Sequence, residues 1–239
     1  MTIIGIDISQ RKAATVAGLL LLFGQVPAIF GEFYVPGQLI DYNNAAETAR
    51  NIIAHERLFR LGIASNLVVF AADVILITCL YVILERINRG LALLATFFRL
   101  VETAIIVCAI ALNDFSVLRL LSGADYLRAI EPDRLQALAR LAISAHGAGY
   151  IVGLMFFGLG STMFAYLWHK SNYIPRVLAA WGVFASLLTA VCTFAFVIFP
   201  DFAKLANPGV YMPIFIFEVT MGFWLSFKGL RPAVDELAR

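Results

Sequence analysis

The sequence predicts an all-α polytopic membrane protein of six transmembrane helices, with short helical extensions on the outer side. Three observations carry this expectation. Hydrophobic residues make up 61% of the 239 positions and charged residues only 14%, where soluble domains run at about half apolar and a quarter charged. The apolar residues gather into six runs, each long enough for the roughly 20 helical residues that a hydrocarbon core about 30 Å thick requires. These runs are too long and too uniform for barrel strands, and lipid offers no partner to backbone groups that a helix satisfies internally.

The chain reads as a single domain, 1–239, with helices at about 13–34, 58–84, 91–112, 140–168, 175–199 and 210–227. Arg11 and Lys12 precede the first run as they would in a signal peptide. Its apolar stretch is longer than a signal h-region and lacks an A-x-A site, so it is read as a retained helix. Before the second run, Asn44 followed by Glu47 has capping spacing, and Ile52, Ile53, Leu58 and Phe59 are expected on one face of a helix leading into the span. Before the fourth, Pro132 suits a first helical turn, and Leu135, Leu138, Ala139 and Ala142 continue the spacing, so this helix projects beyond the bilayer. No internal repeat is visible.

The connections after the second and fourth runs are short and carry Arg86, Arg89, Lys170 and Arg176. Arg11, Lys12, Lys228 and Arg231 of the terminal segments fall on the same side, which the positive-inside rule makes cytoplasmic. Arg50, Arg57, Arg60, Arg119, Arg128, Arg134 and Arg140 lie opposite, in longer loops where they alternate with acids. Tyr and Trp residues, among them Tyr34, Tyr81, Trp168 and Trp224, fall near the ends of the runs, as interfacial aromatics do.

A net charge of +2 with no basic block excludes a nucleic-acid partner. Cys79, Cys108 and Cys192 lie in three different apolar runs and read as packing residues. Metal-ligand spacings such as HExxH or CxxC are absent, as are GxSxG, Walker A and GxGxxG motifs, so the sequence implies no metal, no cofactor and no recognised catalytic site.

Charge inside the runs is the most informative polar feature. Asp73 lies in the second run, Arg99 and Glu102 in the third, and Glu218 in the sixth. Each charge at mid-bilayer costs roughly 2.5 to 3.5 kcal/mol on insertion scales. A spacing of three puts Arg99 and Glu102 on one helical face. Counting about 1.5 Å per residue brings all four side chains to one level, about 13 to 18 Å deep. Three acids against one Arg imply a carboxyl that is protonated, bound to a cation or open to water, or else a guanidinium that bridges neighbouring helices.

Secondary polar positions extend this stripe. Asn66 lies seven residues before Asp73, and Gln25 stands beside Pro27, where a kink is expected. A water-filled pocket among helices 1, 2, 3 and 6, or plain interhelical hydrogen bonding, accounts for both. Gly149 and Gly153 form a GxxxG pair, with Ala145 a turn earlier, that lets another helix approach. His146 and Tyr150 stand beside that stripe, His146 as a candidate proton acceptor or as a hydrogen-bonded packing residue.

The segments DYNNAAETARNIIAHERLFRLGI, FFRLVE, HKSNYIPR and FEVTMGFWLSFKGLRP together resemble the bacterial membrane-protein family known as domain of unknown function 4386. The resemblance implies six helices in a prokaryotic cytoplasmic membrane and carries over no activity, ligand or catalytic residue. Function therefore stays open between a non-catalytic membrane component, a small permease or proton-coupled carrier, and an intramembrane enzyme drawing Asp73, Glu102 and His146 together. The lipid bilayer is the one partner the sequence demands. A proton or small ligand, a protein partner and self-association are left undecided.

Overall fold

The structure, a computed structural model, describes residues 8–206 and 209–231. No strand occurs among the described residues. Six helical stretches among the described residues are long and apolar enough to cross a membrane: Ile8–Leu39, Glu56–Leu84, Arg89–Leu120, Pro132–Ser171, Arg176–Ile198 and Gly209–Phe227.

The first stretch is α1 (Ile8–Ile29), a π-helical turn at Phe30–Tyr34, and α2 (Val35–Leu39). Pro27 lies inside α1, and a π-helical turn follows at residues 30–34. Pro36 has no N–H to give the Glu32 carbonyl, and its ring crowds that oxygen. The chain widens there, and the Val35 N–H reaches back five residues to the Phe30 carbonyl.

A short helix, α3 (Ala45–Ala54), follows, and the Oδ1 of Asn44 accepts from the Glu47 N–H at 3.0 Å. Ile52 is buried but Ile53 is 58% exposed, and the helix breaks at His55 before α4 (Glu56–Leu84). The single continuous face expected through Ile53 and Phe59 is thus divided between two helices interrupted at His55. Asn44→Ala removes the acceptor for an end N–H and is expected to cost about 1 kcal/mol. Faster amide hydrogen exchange across 45–50 would register it.

A tight turn, capped where Asn88 Oδ1 accepts from the Leu91 N–H at 3.0 Å, leads into α5 (Arg89–Ala109). A second π-helical turn, Ile110–Asp114, then passes into α6 (Phe115–Leu120). Here the Asn113 side-chain amide donates to the Ala109 carbonyl at 2.8 Å, taking the acceptor that regular α-helical bonding gives to a backbone N–H. α7 (Pro132–Ser171) starts at Pro132 and runs 40 residues, about 60 Å against a hydrocarbon core of about 30 Å. In its first turns Ala139 is buried but Leu138 is 43% exposed, so the expected apolar stripe is only partly covered. α8 (Arg176–Ile198), α9 (Pro200–Ala206) and α10 (Met212–Phe227) complete the described chain.

Contacts divide the described residues into two compact units, one of residues 8–24, 72–103, 151–206 and 209–231, the other of residues 25–71 and 104–150. The first has a core of Leu21, Leu76, Ile83, Leu84, Leu167, Met221 and Leu225. There Gln10, buried at the start of α1, donates to the Ile83 carbonyl at 2.9 Å, satisfying an acceptor that the end of α4 leaves open. The second has its own core of Val35, Leu39, Ile52, Phe59, Ile63, Ile106, Ile110 and Val117. Apolar side chains left exposed along the spans, such as Phe23, Val26, Ile75, Phe97 and Val191, form the surface that contacts lipid.

Candidate functional site

In the first unit, Arg99 of α5 lies at the centre of a buried polar cluster. Its Nη2 is 2.6 Å from Asp73 Oδ1 on α4, its Nη1 donates to Ser161 Oγ on α7 at 2.9 Å, and its Nε lies 3.1 Å from Glu102 Oε2 one turn along α5. The Phe157 ring of α7 covers the guanidinium, 4.2 Å from Cζ to centroid. Thr103 Oγ1 donates to the other Asp73 oxygen at 3.0 Å, so both oxygens of that carboxylate are engaged. Arg99, Asp73 and Glu102 are 5%, 9% and 3% exposed. The Glu102 contact is one of charge, since no aligned hydrogen bond joins the two atoms.

Helical periodicity builds this geometry. Arg99, Glu102 and Thr103 share a face at i, i+3 and i+4, and Phe157 and Ser161 share one at i and i+4. Glu218, half-buried on α10, acts electrostatically on both Arg99 and Glu102. Opposite charges about 4 Å apart attract by about 4 kcal/mol at an effective dielectric of 20, while desolvation costs several kcal/mol per ion. Such a cluster persists because each charge has company. Gly160 makes room for it: a Cβ there would stand 2.9 Å from Arg99 Cγ and 2.9 Å from the Ala95 carbonyl oxygen.

In the second unit, His146 of α7 lies between two carboxylates. Its Nδ1 is 2.8 Å from Asp114 Oδ1 and its Nε2 is 3.6 Å from Glu32 Oε1. Each acid belongs to one of the two π-helical turns, a distortion common at functional sites. The Asn66 side-chain amide donates to Glu32 Oε1 at 2.5 Å, and Tyr150 stacks on the imidazole with its ring 7° from parallel. Gly31 lets the Asn66 amide come close, because a Cβ at that position would occupy the same space.

The structure thus brings Asp73, Arg99 and Glu102 into contact, with Glu218 acting on Arg99 and Glu102, and adds Thr103, Phe157 and Ser161, which sequence spacing did not single out. Asn66 pairs with Glu32 rather than extending the Asp73 stripe, because the π-helical turn after α1 brings that carboxylate against α4. His146 engages Glu32 and Asp114 rather than Asp73 and Glu102. Gln25 is half-buried. Among the small residues, a Cβ on Gly149 would be 2.7 Å from Ala109 Cβ, Gly153 is buried, and Ala145 is exposed, so the close packing begins at Gly149 and does not include Ala145. The two missed acids had a signal in the sequence. Glu32 falls inside the first apolar run, and Asp114 lies two residues past the third.

Six apolar spans with charged side chains buried among them define a multi-pass α-helical membrane protein. The chain belongs to the family described as domain of unknown function (DUF4386), whose model matches residues 16–229. This agrees with the resemblance carried by FFRLVE, HKSNYIPR and their neighbouring segments. Neither the curated proteins nor the solved structures contain a significant match.

Proposed function

We propose that the protein is a non-catalytic component of the bacterial cytoplasmic membrane, a single domain over 1–239, whose Arg99 cluster fixes the packing of α4, α5 and α7. The observation that carries this reading is the burial of the guanidinium among side chains of three helices. Asp73 and Ser161 bond its Nη atoms, Glu102 lies against Nε by charge alone, and Phe157 covers a face, which supports a structural role. Both termini are assigned to the cytoplasmic side. Arg86, Arg89, Lys170 and Arg176 in the two tight loops support this side, since Lys and Arg in short loops next to the spans weigh most in orientation.

A second reading, a proton-coupled carrier, is favoured by a different observation: three carboxylates act on one guanidinium. A buried excess of negative charge is relieved by a proton or a cation. Glu102→Gln separates the two readings. The packing role predicts a folded variant that accumulates like the parent and fully complements a deletion strain. A carrier predicts a folded variant that fails to complement and loses pH-dependent uptake in vesicles. The second outcome would overturn the non-catalytic assignment.

A further inference from the structure

We propose that His146, Glu32 and Asp114 form a proton-binding site in which the bound proton is held on the imidazole between two carboxylates presented by π-helical turns. A carboxylate oxygen only accepts hydrogen bonds, and a neutral imidazole has one N–H and one bare nitrogen. Here both ring nitrogens face carboxylate oxygens, Nδ1 toward Asp114 at 2.8 Å and Nε2 toward Glu32 at 3.6 Å. A neutral ring would set a nitrogen lone pair against one of those oxygens, whereas imidazolium donates to Asp114 and pairs by charge with Glu32, whose oxygen lies just beyond hydrogen-bond length.

The surroundings hold this arrangement in place. Side-chain exposure is 15% for His146, 19% for Glu32 and 10% for Asp114, so water screens the charges weakly. Glu32 comes from the turn that follows α1 and Asp114 from the turn that follows α5. From α4 the neutral amide of Asn66 fixes Glu32, and on α7 itself Tyr150 stacks on the ring. Glu32 and Asp114 are the charged groups that act on His146. With the proton bound the three groups carry a net charge of −1. When it leaves, two carboxylates face a ring that can satisfy only one of them, and the turns carrying them lose a shared anchor. Proton occupancy is thereby linked to the shape of both π-helical turns.

The test is nitrogen NMR of histidine-labelled full-length protein in lipid nanodiscs. The chain has three histidines, and His55→Gln and His169→Gln assign the His146 signals without touching the site. At neutral pH both His146 ring nitrogens are expected at imidazolium shifts. Asp114→Asn, or Glu32→Gln if the former does not fold, is expected to move one nitrogen to the shift of a bare, unprotonated atom. A bare nitrogen on His146 in the parent protein at neutral pH overturns the proposal. So does an imidazolium signal that survives removal of both carboxylates.

Discussion

Arg99→Met is expected to lower the unfolding free energy by about 3 to 5 kcal/mol, the cost of removing one partner from a buried ion pair. Methionine fills much of the arginine stem's volume, so the loss comes from charge and hydrogen bonding rather than from a cavity. Asp73 and Glu102 would remain 9% and 3% exposed, with Ser161 stripped of its donor and Phe157 of its cation. The triple variant Asp73→Val, Arg99→Met, Glu102→Leu is expected to recover most of that loss, since buried ion clusters replaced whole by apolar side chains are often neutral or better. Denaturant titration in mixed micelles, followed by tryptophan fluorescence, measures both. A single variant as stable as the parent would mean that the guanidinium does not hold these helices together. A triple variant that is stable yet fails to complement a deletion strain would move the cluster from packing to function.

The asymmetry between these variants also explains what sequence could and could not reveal. Helix number, the Asn44 cap, the start at Pro132 and the shared face of Arg99 and Glu102 follow from rules that act within one helix, so they were legible. The partners Ser161 and Phe157 were not, because they come from α7, and no spacing along the chain reports which helix lies beside α5. Glu32 and Asp114 are visible in the sequence as charges in or beside apolar runs, but no spacing along the chain ties either of them to His146. Local backbone chemistry, the missing N–H of Pro36 and the amide of Asn113, opens the π-helical turns that hold these carboxylates. The same limit applies to small residues. GxxxG marked Gly149 and Gly153, while the closest approaches in the first unit involve glycines outside that motif.

Gly158→Ala is expected to cost about 1 to 3 kcal/mol, although alanine is the better helix former. A Cβ at this position of α7 would stand 2.6 Å from the backbone nitrogen of Ala190 and 2.8 Å from its Cα and Cβ. Ala190 is 2% exposed on α8, and backbone cannot rotate away as a side-chain tip can. The helices must therefore part by several tenths of an ångström along a contact that interior packing has filled. Gly147→Ala makes the same chemical change on the same helix with nothing within 4 Å of the new methyl. It is expected to gain about 0.5 to 1 kcal/mol by reducing the freedom of the unfolded backbone. Opposite signs for the two variants, read side by side in one detergent titration, locate a tight α7–α8 contact at Gly158. Two gains of equal size would show instead that α7 and α8 can separate there at no cost, and the tight packing assigned to the first unit would have to be abandoned.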